Sequence, residues 1–153
     1  MARLTDLPPA TSARLTELDC PDFPTVPWTD GPPLNERRVA IVSTAGLYLR
    51  GETPFQGGDS DFRRLPHGAS HDDLLMSHVS INYDRTGWQR DPDVVLPRAG
   101  LDRLAAAGLI GAPGVAHYSF MGATDPAAMA AQAAQVAAQL KSEGSDSAIL
   151  IPV

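Results

Sequence analysis

The sequence contains very little cysteine: Cys20 is the single one among 153 residues. One thiol cannot form a disulfide within the chain, and this pattern is typical of proteins from a reducing cytoplasm. Cys20 lies between Asp19 and Pro21, so no neighbouring cation in the sequence favours its thiolate form. We therefore interpret Cys20 as an unreactive thiol.

The chain also lacks long apolar segments and an excess of positive charge. No apolar run approaches the roughly 20 residues that cross a bilayer, and the amino-terminal segment has no continuous apolar core typical of a secretory signal. A net charge of -6 and a pI near 5.0 disfavour binding to nucleic acid or to an anionic membrane surface. These absences predict a cytoplasmic protein that acts on neither nucleic acid nor membranes.

Proline-rich sequence occupies the first part of the chain. Residues 19–36 contain five prolines in eighteen positions, which excludes a regular helix. We predict that residues 1–36 form an extended Pro-rich arm that lies on the body, with Phe23 and Trp28 as anchors; a disordered tail is the alternative. Residues 37–153 then form one α/β domain.

The body alternates segments typical of strands with segments typical of helices. Apolar or alternating runs predict four strands, the last of them buried, which are residues 39–42, 74–84, 115–120 and 148–153. Helices are predicted from Pro97 to Gly108 and from Pro126 to Gly144, because proline suits the first turn of a helix and glycine its end. Such alternation predicts an α/β fold with an open, mainly parallel sheet and flanking helices, Rossmann-like or flavodoxin-like.

A turn of small residues, Ser43 to Gly46, follows the first predicted strand. Such a turn can direct backbone N–H groups toward a ligand. It lacks both the three-glycine dinucleotide pattern and the Gly-Lys-Ser/Thr of phosphate loops, so a nucleotide site is not predicted. An ordinary strand-to-loop turn is the alternative.

The polar, Gly-rich segment 50–73 predicts a long irregular loop, of the kind that forms functional lids or is partly disordered. It contains His67 and His71, which could share a metal if they lay on one helix. Pro66 and Gly68 flank His67 and make a helix there doubtful. We interpret both histidines as solvated loop residues.

Two further histidines belong to predicted strands. His78 and Asp84 bracket the alternating part of the second strand, and Asp84 falls at the carboxyl end, where ligand-contacting groups collect. Thr86 and Trp88 would add a polar and an apolar contact in the turn that follows, although a turn-capping role is the alternative for Asp84. His117, inside the third strand, is interpreted as a buried histidine with its hydrogen bonds satisfied.

A series of motifs occurs in order along the body. They are Thr44-Ala45-Gly46 after a strand, TPF and GDSDFRRLP, Ser77-His78, Tyr83-Asp84 with Thr86, Asp91 to Pro97 before a helix that ends in Gly108 to Gly111, and His117 to Gly122 before the last helix and strand. Together they resemble the selenoprotein B family of glycine, sarcosine, betaine and D-proline reductases. The resemblance covers about Pro24 to Val153.

This resemblance implies an oxidoreductase whose redox residue, a selenocysteine or a cysteine, directly follows Val153. No catalytic residue is then expected within the chain itself. The redox residue would lie at the carboxyl ends of neighbouring strands, beside a set of substrate-binding residues. That predicted set is Gly46, His78, Asp84, Thr86 and Gly122.

The resemblance also implies a reaction and its partners. The reaction is reductive cleavage of a C–N bond in a small amine or amino-acid-like substrate, with other reductase subunits as partners and a thioredoxin-like dithiol as electron donor. A selenol ionises more readily than a thiol and is therefore nucleophilic at neutral pH. We expect the chain to be the amino-terminal part of such a subunit and inactive alone, because it carries no selenocysteine and no Cys-containing motif.

Other functions stay open on the sequence alone. The chain could be a non-catalytic small-molecule-binding or regulatory module on the same scaffold. It could also bind a metal through His67, His71 and His78, although no motif has metal-ligand spacing and no metal site is predicted. An apolar sheet edge left open after the last strand would favour homo-oligomers.

Overall fold

The computed structural model describes residues 3–17, 26, 28–80 and 83–153. The chain divides into two compact units, Met1–Asp30 and Gly31–Val153. The first unit contains helix α1 (Pro9–Thr16), which follows a short 3-10 turn at Leu4–Asp6. Proline at the first helical position suits this start, because that residue needs no N–H donor.

Part of the predicted arm lies outside the described residues, including Cys20 and Phe23. The segment 9–16 is helical, and the extended arm with its anchors Phe23 and Trp28 stays a prediction for the rest.

The second unit carries the sheet and the other helices. Its strands are β1 (Arg38–Ser43), β2 (Leu47–Leu49), β3 (Arg63–Pro66), β4 (Leu74–Met76), β5 (Ala112–Pro113), β6 (Ala116–Ser119) and β7 (Ser147–Ile151). Its α-helices are α2 (Thr86–Arg90), α3 (Arg98–Ala106) and α4 (Ala130–Ser142). Short 3-10 turns lie at Leu34–Glu36, His71–Asp73, Pro92–Val94 and Pro126–Met129.

Strand β1 is the centre of the main sheet. Val42 pairs with both Tyr118 of β6 and Leu150 of β7, so these parallel strands lie on opposite sides of β1. Strand β5 also pairs parallel with β1, and β3 adds to β6 in the antiparallel sense. The predicted α/β fold with a mainly parallel sheet is confirmed, and the antiparallel β3 is an addition to it.

The two faces of the sheet pack against different helices. Val39 and Ile41 of β1 belong to one buried apolar cluster together with Leu101 of α3. Tyr118 and Val136, from β6 and α4, belong to a second cluster. Alternate residues of a strand point to opposite faces, so the continuous apolar run of β1 contributes to both layers.

The prediction of the second strand, residues 74–84, is mostly wrong. Only Leu74–Met76 form a strand, β4, and it pairs antiparallel with β2 in a separate two-stranded sheet. Val79 is 40% exposed and lies outside any strand, and Ile81 and Asn82 are outside the described residues. The alternation of apolar and polar residues therefore does not correspond to a strand in the main sheet.

The predicted irregular loop 50–73 contains a strand. Arg63–Pro66 form β3, whose residue Leu65 is fully buried opposite His117. Two arginines and a proline surround that single apolar residue, so no alternation indicates the strand. Its edge position tolerates the proline.

The later elements agree with the prediction. Helix α3 begins after Pro97, and Gly108 follows its end with a φ of 69°. The Asp125 carboxylate accepts from the N–H of Ala127 and caps the turn that leads into α4, and Gly144 follows that helix with a φ of 73°. Strand β6 lies within the predicted segment 115–120.

The closing strand is present, but its predicted burial is wrong. Ile149 is 40% exposed and Leu150 is 73% exposed. Strand β7 pairs with β1 on one side only, and its other edge pairs with none of the described strands. Separately, none of the helices described is both long enough and apolar enough to cross a bilayer.

This exposed edge predicts self-association. We expect the 153-residue chain to form oligomers or aggregates, because an open strand edge with apolar side chains is a template for pairing. Leu150→Lys should shift sedimentation velocity profiles toward the monomer. Leu109→Lys adds the same charge at a residue that is 55% exposed outside the sheet and should leave the profile unchanged. A wild-type chain that sediments as one monomeric species would contradict the prediction.

Candidate functional site

The carboxyl ends of β1 and β7 lie side by side. Ser43 pairs with Ile151, and the N–H of Thr44 donates to the carbonyl of Ile151 at 3.0 Å. Beyond the strands, the N–H of Val153 donates to Thr44 Oγ1 at 2.8 Å. The position of Val153 is therefore set by a side chain 109 residues earlier in the sequence.

Gly122 allows the backbone of two neighbouring segments to lie close to it at this edge. A Cβ atom built on Gly122 would lie 2.6 Å from the carbonyl oxygen of Val153 and 2.8 Å from that of Thr44. Both neighbours are backbone atoms: the Thr44 carbonyl accepts from the N–H of Gly122 at 2.9 Å, and the N–H of Val153 is bonded to Thr44 Oγ1. Glycine is needed here for space.

Next to Gly122 lies a cavity of about 260 Å³. Its lining residues come from the segment after β4, the segment after β6 and the segment after β7; they are His78, Ser80, Tyr83, Gly122, Ala123 and Val153. The cavity thus lies at the carboxyl edge of the sheet, where ligands bind in open α/β folds.

His78 is the buried titratable group of this cavity. Its side chain is 3% exposed, and Nδ1 accepts from the N–H of Ser80 at 3.2 Å. The neutral ring therefore carries its proton on Nε2. Nε2 is buried and has no partner in regular hydrogen-bond geometry among the described residues, while a looser hydrogen bond to the backbone of Val153 favours the charged ring.

Burial lowers the pKa of His78, and the positive charge of Arg85 lowers it further, whereas the Val153 backbone opposes both. The Arg85 guanidinium donates to the His78 carbonyl, and the Tyr83 ring lies against the imidazole with centroids 5.0 Å apart. Burial also raises the pKa of Tyr83. At neutral pH the cavity therefore holds a neutral imidazole and a neutral phenol.

The turn after β1 does not direct its N–H groups toward a ligand. The N–H of Ala45 donates to Ser43 Oγ, and that of Gly46 donates to the Phe120 carbonyl at 2.9 Å. Gly46 has a φ of 65° and passes close to the backbone of His78. A Cβ built on Gly46 would lie 3.1 Å from the backbone nitrogen of His78. The turn is thus an ordinary structural one that supports His78.

The five predicted substrate-binding residues separate into two groups. His78 and Gly122 line the cavity, and Gly46 lies directly behind His78. Asp84 and Thr86 are exposed and form the start of α2, where the Asp84 carboxylate accepts from the N–H and the hydroxyl of Thr86. These bonds lower the pKa of Asp84. This geometry agrees with the turn-capping role that was the alternative for Asp84. Substrate binding by Asp84 and Thr86 stays a prediction.

A second cavity, of about 350 Å³, lies beside the start of α3 and includes His67, His71, Arg98 and Asp102 in its lining. His67 is not the solvated loop residue that was predicted. Its Nδ1 lies 2.9 Å from Nε2 of His117, and its Nε2 lies 3.0 Å from the Asp102 carboxylate.

Hydrogen bonding determines the protonation of both rings in this network. The N–H of Ile41 donates to Nδ1 of His117, so Nε2 of His117 carries the proton and donates to His67. His67 then donates from its own Nε2 to Asp102. His117 is fully buried with both nitrogens bonded, as predicted for a satisfied histidine.

Arg98 holds this region together. It is 7% exposed, and its Nη1 donates to the carbonyls of His67 at 2.8 Å and Ala69 at 2.7 Å. Sequence reasoning missed this residue, since nothing marks one of eleven arginines as buried. It also missed the role of Thr44, although a hydroxyl residue at the carboxyl end of a strand is a usable signal.

The metal-binding alternative finds no site. His67 and His71 line one cavity and His78 lines the other. No cluster of three or more His, Cys, Asp or Glu residues suited to a metal ion occurs in the described ranges.

Fold and site together describe an α/β protein with a small cavity at the carboxyl edge of its sheet, containing a neutral, buried imidazole. The chain is 30% identical over 139 residues, 88% of its length, to D-proline reductase subunit gamma of Acetoanaerobium sticklandii. The match covers 57% of that protein, so the chain spans little more than half of its length. No family model and no solved structure matches the chain. The similarity supports a broad reductase-family relationship.

Replacing Gly122 tests the close approach at the sheet edge. Gly122→Ala should lower the free energy of unfolding by about 1–3 kcal/mol, because the methyl group meets two backbone carbonyls. Gly57→Ala is the matched control, since a Cβ there meets no atom within 4 Å. Urea unfolding measures both, and equal stabilities for the two variants would contradict the packing.

Because His117 is buried, we expect the free energy of unfolding to depend on pH. Burial first, and then the neighbouring His67 and Arg98, lower its pKa to about 3, while Asp102 has an opposing effect. The unfolded ring binds a proton below about pH 6.5 and the folded ring does not, so stability is lost as the pH falls from there toward 3.

At about pH 4.5 this loss should reach about 2–3 kcal/mol relative to pH 7. His117→Asn, whose side-chain oxygen can accept from the N–H of Ile41, should lose correspondingly less over the same pH range. His71→Asn, at an exposed residue, is the control. Urea unfolding at the two pH values measures the difference, and identical pH dependence in wild type and His117→Asn would contradict it.

Proposed function

We propose that this chain is the amino-terminal part of a selenol- or thiol-dependent reductase subunit related to the selenoprotein B family of glycine, betaine, sarcosine and D-proline reductases. The observation that carries the proposal is the match to D-proline reductase subunit gamma over 88% of the chain. The reactive selenocysteine or cysteine directly follows Val153 in this proposal.

The local geometry supports that placement. Val153 lies at the carboxyl edge of the sheet, held by Thr44 and beside Gly122. It lines the same cavity as His78 and Tyr83. A residue that follows Val153 therefore starts next to a partly enclosed space with both polar and apolar walls.

The residues present suit a reactive sulfur or selenium. The chalcogen, once ionised, supplies the nucleophile of the reaction. The cavity contributes a buried imidazole that lies beside the backbone of Val153.

The reaction class is reductive cleavage of a carbon–nitrogen bond in a small amine or amino-acid-like substrate. The C–N bond breaks, carbon and nitrogen each gain a hydrogen, and the two electrons come from a thioredoxin-like dithiol that becomes a disulfide. The subunit works in the cytoplasm with other reductase subunits. A cavity of about 260 Å³ suits a substrate of this size.

Sequencing the coding DNA past codon 153 tests the proposal. We expect either a UGA or a cysteine codon directly after Val153, followed by an open reading frame with a further cysteine. The full-length protein, purified with its partner subunits, should then reduce a small amine in the presence of a dithiol, as measured by release of the amine product. A different stop codon followed by unrelated sequence would contradict the proposal.

The alternative is a non-catalytic module that binds a small amine or carboxylate. It predicts that the 153-residue chain itself binds such a compound in the cavity of His78, measured by calorimetry and abolished by Gly122→Leu. Binding by a chain whose gene lacks the downstream codons would favour this alternative.

A further inference from the structure

We infer that a second site, separate from the cavity of His78, binds a small monocarboxylate at the buried guanidinium of Arg98. The site lies in the cavity of about 350 Å³ beside the start of α3, which His67, His71, Arg98 and Asp102 help to line. The two cavities have no lining residue in common. The site goes beyond the proposed function and does not depend on it.

Arg98 is a buried charge without an anionic partner. It is 7% exposed, and it alone among the buried polar residues of the described chain carries a permanent positive charge. None of the ion pairs between described residues includes it. Buried charges are usually paired, because removing an ion from water is costly. A negatively charged ligand supplies the missing partner.

The guanidinium keeps donors for such a ligand. Its Nη1 donates to the carbonyls of His67 at 2.8 Å and Ala69 at 2.7 Å, which fixes the position of the group. Its Nε and Nη2 make no hydrogen bond to the described residues and are not among the fully buried atoms that lack a partner, so they stay accessible. These two nitrogens form one edge of the planar group, and that edge matches the two oxygens of a carboxylate.

The two histidines of the cavity have different roles. Both ring nitrogens of His67 are already bonded, one to His117 and one to Asp102, so this ring forms part of the wall. The imidazole of His71 belongs to an exposed residue and lines the same cavity. We therefore expect the ligand to contact Arg98 first and His71 second.

The charges around the cavity favour a single negative charge on the ligand. Burial lowers the pKa of Arg98 and the negative charges of Asp93 and Asp102 oppose this effect, so the guanidinium stays charged at pH 7. The Asp102 side chain is 62% exposed and is screened by water, whereas the buried Arg98 is screened less. A monoanion is thus attracted, while the two carboxylates oppose a second negative charge. We expect propionate to bind better than inorganic phosphate.

Thermal unfolding of the full 153-residue chain tests this site, because a ligand that binds the folded protein raises the unfolding midpoint. About 100 mM sodium propionate should raise the midpoint by about 3–5 °C above its value in sodium chloride of equal ionic strength, which corresponds to a dissociation constant of about 10 mM. Propionamide is the uncharged molecule of the same shape and should leave the midpoint unchanged.

Three variants separate specific binding from general salt effects. Arg98→Met removes the charge, so the shift in propionate should disappear. Asp102→Asn removes an exposed negative charge and keeps an oxygen that can accept from His67, so the shift should increase. Arg103→Met, at an exposed residue of the same helix outside the cavity lining, is the matched control and should respond like the wild type.

Equal midpoints in propionate and chloride, or a wild-type shift in Arg98→Met, would overturn the site. A shift in Asp102→Asn no larger than that of the wild type would do the same, and this result decides the question where Arg98→Met does not fold. A wild-type response to phosphate that exceeds the response to propionate, each taken relative to Arg103→Met and Arg98→Met, would contradict the monocarboxylate. None of these results depends on the codons after Val153, so the site and the proposed function are tested separately.

Discussion

The parallel pairing of β1 with β7 is the interaction on which the rest of the molecule depends. Five residue pairs, from Val39 with Ser147 to Ser43 with Ile151, join segments more than 100 residues apart. Because of this pairing, Val153 lies at the carboxyl edge of the sheet, where its N–H donates to Thr44 Oγ1. Without it neither the close approach at Gly122 nor the cavity beside His78 would form. The same strand leaves Leu150 exposed, so the element that builds the site is also the surface that favours association.

Two buried histidines have the same hydrogen bond at Nδ1 but different surroundings at Nε2. In His78 and His117 a backbone N–H donates to Nδ1, which places the proton of each neutral ring on Nε2. His117 donates this N–H to His67, and His67 donates in turn to Asp102. Every ring N–H of this network therefore has an acceptor within the protein. For His78 the corresponding N–H lies at the cavity beside the Val153 backbone, whose hydrogen bond to the ring favours its charged form.

The similarity to a reductase subunit and the geometry of the sheet edge bear on different questions. The match over 139 residues relates the chain to such a subunit and extends over 57% of that protein. The structure adds a cavity of about 260 Å³, a neutral imidazole and a glycine that leaves room for the main chain. The exposed Asp84 and Thr86 lie at the start of α2 and do not line this cavity.

Local sequence determined the elements whose signals are local. The apolar run of β1, the strand around His117, and the proline and glycine limits of α3 and α4 could all be predicted, because strand propensity and helix capping act within a few residues. The short β3 could not, since a single buried apolar residue in an arginine-rich stretch leaves no periodic pattern. The early end of β4 could not either, because the alternation of apolar and polar residues continues past Met76. Tertiary structure alone decided that His67 meets His117, that Arg98 is buried and that Thr44 holds Val153. Each of these contacts joins residues 29 or more positions apart, and it exists only because the tertiary fold brings their backbones together.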